Sequence, residues 1–332
     1  MKTPAILVTG GAGYIGSHTV RLLAEAGENV VVLDTLELGH RESLISPGVD
    51  LVVGDLGNQE IVEKVFEDYQ IEAVLHFAAY ALVGESVSDP LKYYSNNFAK
   101  PLVLLDAMRR HDCRQFIFSS TCATYGNPQY IPMDENHPQV PINPYGASKL
   151  MLERALIDSE SAYGLRSVIL RYFNASGGST DGFIGEDHTP ETHLIPRALL
   201  AVLGREPELT VFGTDYPTPD GTCIRDYVNV LDLAEAHAAA LRYLRAGNSS
   251  TACNLGTGKG ASVKEIIQLA ESVTGKSVPV TYGPRRAGDP PELVGNPAKA
   301  KSVLGWEAKY KDPKDMVQAS WDWLSGPRSG RY

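Results

Sequence analysis

An α/β fold built on a doubly wound parallel sheet is predicted by three observations on this chain of 332 residues. Short apolar runs without polar alternation, among them "AILVTG", "NVVVLD" and "QFIFSS", have the pattern of strands buried on both faces. Segments of helical periodicity separate these runs, as βαβ units require. The stretch "TGGAGYIGSH" then sets three spaced glycines between the first strand and the first helix.

The elements follow in order. "AILVTG" is the first strand, and a helix starts at Tyr14. "NVVVLD" and "VDLVVGD" are the second and third strands, with a helix from Asn58. "EAVLHFAA" is the fourth, a helix from about Pro90 comes next, and "QFIFSS" is the fifth. Asn143 is a good cap and Pro144 suits a first helical position, so "NPYGASKLMLERAL" opens a helix; "RSVILRYF" returns to strand. After Phe173 the Gly/Ser/Asp-rich "NASGGSTDGFIGEDHTPETH" has a length usual for functional loops. A helix near Leu194 to Leu203, the strand "LTVFG", "DYVNV", and a helix from Leu231 to about Ala246 continue the chain. "ACNLG", a helix opened by the capping box Ser262 to Glu265, "VPVTY" and the loop "GPRRAGDPP" complete the second half.

A formal net charge of −10 argues against a nucleic-acid or anionic-membrane partner. Any anionic ligand therefore needs a local cluster of arginine or lysine. Cys113, Cys122, Cys223 and Cys253 lie far apart without zinc or disulfide spacing, so reduced thiols and no metal site are expected. "MKTPAILVTGG" runs directly into a strand with no cleavable apolar segment, and no stretch reaches the ~20 apolar residues of a membrane span. The cytoplasm is the expected location.

Gly10, Gly13 and Gly16 let the backbone turn tightly and approach a pyrophosphate, whose charge is favoured at a helix N-terminus. Asp34 ends the second strand, where a carboxylate accepts from ribose hydroxyls and repels a 2′-phosphate, so NAD is expected over NADP. Asp55, after the third strand, suits either an adenine contact or a helix cap. Tyr145 and Lys149 lie at i and i+4, one turn apart on one helical face. Spacing alone favours a half-solvated surface contact. Over the carboxyl edge of the sheet the pair gains a purpose: an ammonium beside a phenol stabilises the phenolate and makes it a better base. Ser119, Ser120 and Thr121 reach the same edge at the end of the fifth strand and supply hydroxyls that share the proton.

"TGGAGYIGSH", "HFAAYALVGES", "YYSNN", "FIFSSTCATYG", "PYGASK", "LRYFNASG", "DGTCIRDYVNVLDLAEAH", "CNLGTG" and "PRRAGDPPE" occur in order over nearly the whole chain. Together they resemble the extended short-chain dehydrogenase/reductases, and within them the UDP-glucose 4-epimerase family. The resemblance implies a Rossmann-type sheet with a smaller, interleaved C-terminal substrate-binding α/β lobe. Residues 1–175, with returns near 226–256, would be the dinucleotide-binding domain, and 176–332 mainly the UDP-sugar lobe. It implies Thr121, Tyr145 and Lys149 as the catalytic group. Tyr145 would take the proton of the sugar 4-hydroxyl while C4 gives its hydride to NAD; the 4-keto sugar turns, and the hydride returns to its other face.

For NAD the resemblance carries over Gly10, Gly13, Tyr14, Ile15, Gly16, Asp34, Thr35, Asp55, Leu56, Phe77, Ala78, Ala79, Asn96, Ser119, Tyr145, Lys149 and Tyr172. For the UDP-sugar it carries over Thr121, Tyr145, Phe173, Asn174, His193, Leu194, Thr210, Phe212, Arg225, Arg286 and Asp289. Two arginines from separate loops suit a diphosphate on an acidic protein. Three positions depart from the family: Ala81 stands for a frequent lysine, Thr35 for asparagine and His193 for asparagine.

The related 4,6-dehydratases carry Asp-Glu after the strand-end threonine, where this chain has Cys122-Ala123, so elimination chemistry is not expected. The same segment offers no acid or arginine for a decarboxylase of UDP-glucuronate. A non-catalytic NAD-sensing scaffold would lack the tyrosine or the lysine. Leu293, four residues after Asp289, points to UDP-glucose and UDP-galactose, with the N-acetylated and pentose UDP-sugars as alternatives. A homodimer is implied through helices around Pro101 to Arg110 and Tyr145 to Tyr163; their Leu102, Leu105, Met151, Leu152 and Ala155 equally suit a core.

Overall fold

A computed structural model describes residues 3–286, 289–328 and 330–332. Along the first half run β1 (Pro4–Thr9), α1 (Tyr14–Glu25), β2 (Val30–Asp34), β3 (Asp50–Val53), α2 (Gln59–Asp68) and β4 (Gln70–His76). Next come α3 (Val83–Ser88), α4 (Pro90–Tyr94), α5 (Lys100–Arg110), β5 (Gln115–Thr121), α6 (Pro144–Tyr163) and β6 (Arg166–Tyr172). The second half holds β7 (Asn174–Ser176), α7 (Leu194–Val202), β8 (Leu209–Phe212), β9 (Ile224–Arg225), β10 (Tyr227–Asn229), α8 (Val230–Arg245) and β11 (Thr251–Leu255). It ends with β12 (Ala261–Ser262), α9 (Val263–Thr274), β13 (Val280–Gly283), β14 (Glu292–Leu293), α10 (Ala298–Leu304) and α11 (Pro313–Ser325).

Seven strands form one sheet in the order β11-β6-β5-β4-β1-β2-β3, every neighbouring pair parallel. The chain leaves β1 toward β3 and returns on the other side of β1 with β4, so the strand order reverses between them. Ligands of such sheets bind in the crevice at that point. Alternate residues of β1 explain its continuous apolar run. Ile6 and Val8 pack with Val20 of α1 and Leu233 of α8, while Ala5 and Leu7 pack with Val62 of α2, Leu104 of α5 and Leu152 of α6.

The smaller lobe has its own core, with Leu199 of α7, Ile266 of α9, and Met316 and Trp323 of α11. Beside it β8 pairs with β13, and β9 is the middle strand between β12 and β14. Ser262 and Glu265 form the expected capping box of α9. After β10 the chain goes back to the large sheet, where α8 joins α1 on one face and β11 adds an edge strand beside β6.

The helix expected from about Pro90 is interrupted. Between α4 and α5 the five residues Ser95–Ala99 widen into a π turn. Its Asn97 is buried; the side chain accepts from the Tyr80 N–H and donates to the Tyr80 carbonyl, each at 2.9 Å. A local change of helical pitch of this kind marks functional sites. Strands β7, β9, β12 and β14, like β10 of three residues or fewer, leave no periodic trace in the sequence. Of the apolar side chains ascribed to either core or dimer face, Leu105 and Leu152 are core, Ala155 packs at its margin, and Leu102 and Met151 face outward. Among the described residues no helix is long and apolar enough to cross a membrane.

Candidate active site

At the switch point Gly10 and Gly16 are required by contact. Gly10 has φ +71°, and a Cβ there would lie 2.5 Å from the Ala78 nitrogen at the end of β4. A Cβ on Gly16 would meet the Gly10 carbonyl oxygen at 2.2 Å, so only glycine lets α1 start this close to the turn. Gly13 is the N-cap and brings no side chain to the N–H groups of the first turn, where Tyr14 and Ile15 follow. Asp34, at the end of β2, accepts from Ala12 N–H at 3.0 Å and Leu36 N–H at 2.9 Å, which ties the strand end to the glycine turn. Burial pushes its carboxyl up, and these two N–H groups oppose the shift. The cradle and the carboxylate fit a dinucleotide.

Other residues carried over for NAD surround this crevice. Phe77, Ala78 and Ala79 follow β4, with Phe77 against the ring of His237 at 4.5 Å. Leu56 is buried in the core layer on the α2 side of the sheet. Asn96 lies in the π turn and donates to Asn97 at 3.2 Å. Thr35 is exposed and holds the Glu37 N–H at 3.2 Å, and Ala81 is exposed as well. Asp55 is not the helix cap, a place taken by Asn58 at the start of α2; it accepts from Gly57 N–H and pairs with Lys100, both at 2.7 Å. Burial raises its carboxyl, but Lys100 and that N–H prevail and hold it low.

Asn143 caps α6 through the Gly146 N–H at 2.8 Å, with Pro144 in the first turn. A Cβ on Gly146 would lie 2.4 Å from the Ala123 carbonyl oxygen, so this glycine lets the helix start press on the end of β5. Tyr145 is thereby brought near Thr121 at the end of β5, close enough for that hydroxyl to act on the phenol. Lys149 Nζ, one turn on, donates to the Ser119 carbonyl at 2.9 Å and stands 4.9 Å from the Phe118 ring centroid. The Ser119 hydroxyl shares a hydrogen bond of 2.8 Å with the Tyr172 hydroxyl.

Electrostatics here differ from the sequence expectation. Burial pushes the Tyr145 phenol up, and the Thr121 hydroxyl opposes it; Lys149 is not among the leading influences. Burial also pulls Lys149 down to about 7, opposed by the charge of Glu153. At this edge burial disfavours the charged form of both groups, so phenolate and ammonium each gain from opposite charge brought in beside them.

Residues carried over for the sugar nucleotide divide between sheet edge and small lobe. Phe173 follows β6 and is buried with Tyr125 and Met133, with Cys122 and Leu293 against them. Asn174 opens β7, bonded through its N–H to the Asp226 carbonyl at 3.0 Å. Thr210 and Phe212 lie on β8, and the Arg286 guanidinium sits 4.2 Å over the Phe212 ring. Arg225 of β9 forms an ion pair with Asp289, and Ala287 and Gly288 of that loop lie outside the described residues. Leu194 starts α7. The His193 ring is turned toward Glu186, whose Oε1 lies 2.6 Å from Nδ1.

Sequence reasoning passed over a buried network behind these groups. Arg171 of β6 and Glu153 of α6 pair at 2.6 Å, with side-chain exposures of 6% and 1%. Glu153 also accepts from Ser120 at 2.5 Å, and Arg171 donates to Tyr125 at 3.0 Å. An arginine inside an apolar strand, and a glutamate at i+4 from Lys149, were the signals in the sequence.

Residues 6–256 match the NAD dependent epimerase/dehydratase family. A UDP-glucose 4-epimerase of Rhizobium meliloti (strain 1021) is 50% identical over 330 residues, 99% of this chain and 100% of that protein. The structure of a UDP-glucose 4-epimerase from Brucella ovis in complex with NAD superposes with a TM-score of 0.94 at 50% identity, covering 99% of both chains. A UDP-glucose 4-epimerase from Bifidobacterium longum, in complex with NAD+ and UDP, gives 0.93 at 37% identity over 99% of this chain and 100% of the other. With a glycine cradle at its switch point and Tyr145 beside a buried Lys149 at the same sheet edge, the chain belongs to the NAD dependent epimerase/dehydratase family.

Proposed function

We propose that this protein interconverts UDP-glucose and UDP-galactose by inverting C4 of the sugar, with NAD as resident cofactor. The observation that carries the reading is the joining of Tyr145, Thr121 and Lys149 at the edge where the glycine cradle opens. Gly10, Gly13, Tyr14, Ile15 and Gly16 would hold the pyrophosphate of NAD, Asp34 its adenosine ribose, and Lys149, Ser119 and Tyr172 the nicotinamide end. NAD held there would supply reversible hydride transfer at C4.

Tyr145 takes the proton of the sugar 4-hydroxyl as the ketone forms and returns it to the oxygen when the opposite face is reduced. Thr121 holds the sugar oxygen against the phenol and shares the proton. Lys149, drawn down to about 7 by burial, gains its charge when a negative phenolate stands beside it. Arg225 and Arg286 would bind the diphosphate, and Asp289 would have to exchange Arg225 for ribose hydroxyls as substrate enters. Cys122 and Ala123 after Thr121 offer no acid to expel a group from C6. Leu293, packed beside Phe173 and Cys122, supports the unsubstituted hexoses over the N-acetylated ones.

Residues 1–175, with returns near 226–256, serve NAD in this reading, and 176–332 mainly the UDP-sugar. A homodimer through α5 and α6 is supported by outward Leu102 and Met151, 40% and 41% exposed. Four free cysteines support a cytoplasmic location.

The experiment is conversion of UDP-galactose by purified Tyr145→Phe beside the parent. A general base contributes about 10²- to 10⁴-fold, and turnover should fall by that factor while NAD stays bound. Undiminished turnover with cofactor in place would overturn the mechanism.

A further inference from the structure

We infer that Glu186, His188, Glu191 and His193 form a site for one divalent cation of the zinc class, in the segment between β7 and α7. One potential ligand atom from each residue lies within 4.8 Å of all the others. His193 Nδ1 is 2.6 Å and His188 Nδ1 3.1 Å from Glu186 Oε1. Glu191 Oε1 is 3.3 Å from His193 Nδ1, and its Oε2 is 3.6 Å from His188 Nδ1. A tetrahedral ion with bonds of about 2.0–2.1 Å sets its ligand atoms about 3.3 Å apart, within the span of these four distances.

A second observation points the same way. Glu186 is 5% exposed, yet its Oε1 has no hydrogen-bond partner, and neither has the buried Nδ1 of His193. The two atoms are close without the geometry of a hydrogen bond, as lone pairs are when they converge on a common point. A buried carboxylate oxygen left so is costly, and a cation relieves the cost.

The surroundings hold the four groups in place. Glu191 Oε1 accepts the N–H groups of Thr192 and His193 at 2.7 and 2.8 Å, which fixes that carboxylate. The Glu186 carbonyl receives the Trp323 indole N–H of α11 at 2.8 Å. The His188 ring meets Tyr14 of the glycine turn edge-on at 6.2 Å, and the Tyr14 hydroxyl donates to the Gly177 carbonyl at 2.7 Å. A metal at this point would fasten the segment joining the lobes to the glycine turn, to α11 and to the start of α7. Two imidazoles with two carboxylates suit zinc or cobalt; calcium and magnesium prefer oxygen alone.

The sequence expectation of no metal rested on the cysteines. The spacing Glu-x-His-x-x-Glu-x-His in "EDHTPETH" was the signal it omitted.

The test uses the untagged full chain with its cofactor, dialysed against chelator and titrated with Zn²⁺ against a chromophoric chelator, and in parallel with Co²⁺. Expected are one equivalent per chain, the intense visible bands of four-coordinate cobalt, and a Tm that rises with Zn²⁺ and falls with chelator. His188→Gln should weaken Zn²⁺ binding at least about tenfold, since outer-shell losses alone cost that much. If that variant does not fold, Glu186→Gln and the cobalt spectrum of the parent decide. Substoichiometric metal in the parent, octahedral cobalt bands, or a folded His188→Gln that binds like the parent would overturn the site. The four groups would then be an ion-pair quartet held by protons.

Discussion

Gly16 and Lys149 show what single residues contribute, one by what it lacks and the other by where it stands. Gly16→Ala puts a methyl group 2.2 Å from the Gly10 carbonyl, a backbone atom that cannot turn away. Overpacking of this order costs about 1–3 kcal/mol. The expected outcome is a lower Tm together with loss of NAD on gel filtration, read from the absorbance ratio of the eluted protein. Lys149 has an ordinary value near 10.5 and a folded one of about 7. A base lowered in this way leaves stability intact above its unfolded pKa and removes it as pH falls toward the folded one. Lys149→Met should therefore raise the cofactor-free unfolding free energy at pH 7 by about 1–3 kcal/mol while abolishing turnover, as substitutions that relieve a site do. Urea unfolding at pH 7 and pH 10 checks it, with the gain expected to shrink at the higher pH. Helical spacing and a capped helix start put Tyr145 and Lys149 on one face, but only the sheet-edge context and the motif resemblance singled them out as a site. Their titration was not legible, because burial is a property of the folded edge and no local spacing encodes it.

Among the elements, α6 and β6 are joined by a buried charge pair. Glu153 and Arg171 are both buried, and Ser120, Gln139 and Tyr125 complete their hydrogen bonds. Removing one member strands the other in a dry interior. Glu153→Gln is expected to lower the unfolding free energy by about 3–5 kcal/mol, whereas Glu153→Leu with Arg171→Met should recover much of that loss. Urea midpoints of parent, single and double variants separate the two outcomes; equal losses in single and double variants would count against a pairing role. The parallel strands and their helices were legible because apolar run length and helical period are local signals. The π turn was not. Its cause is the Asn97 amide bonded to Tyr80, a contact 17 residues away in sequence. Strands β9 and β14, two residues each, are likewise made by pairing partners, and the Arg225–Asp289 pair next to them became visible only once the chain was folded.

At the scale of the molecule, the same dry sheet that tunes the site also limits stability in acid. His237 of α8 is fully buried against Phe77, with Nδ1 on the Leu233 carbonyl at 2.8 Å and no partner at Nε2. Burial pulls it down to about 4, and His76, between β1 and β5, to about 3. Both are neutral in the fold, whereas in the unfolded chain they bind protons below about 6.5. Stability is thus unaffected above that pH and is lost as pH falls from about 6.5 toward 4. One such group gives a slope of about 1.4 kcal/mol per pH unit. Asp226 acts in the opposite sense: burial raises it to about 6, so the fold takes up its proton first and gains as pH drops from about 6 toward 3.8. The net slope of the parent therefore mixes both signs, and a difference between variants isolates one. His237→Leu keeps the volume and the contact with Phe77, and Leu233 still has its helical hydrogen bond. It should remain folded and lose its share of the acid slope, so that the gap between variant and parent widens by about 1.4 kcal/mol for each unit between pH 6 and 4.5. Urea unfolding at four pH values across that range measures the gap. A constant gap would mean that His237 takes up a proton inside the fold, and that water reaches the layer between the sheet and α8.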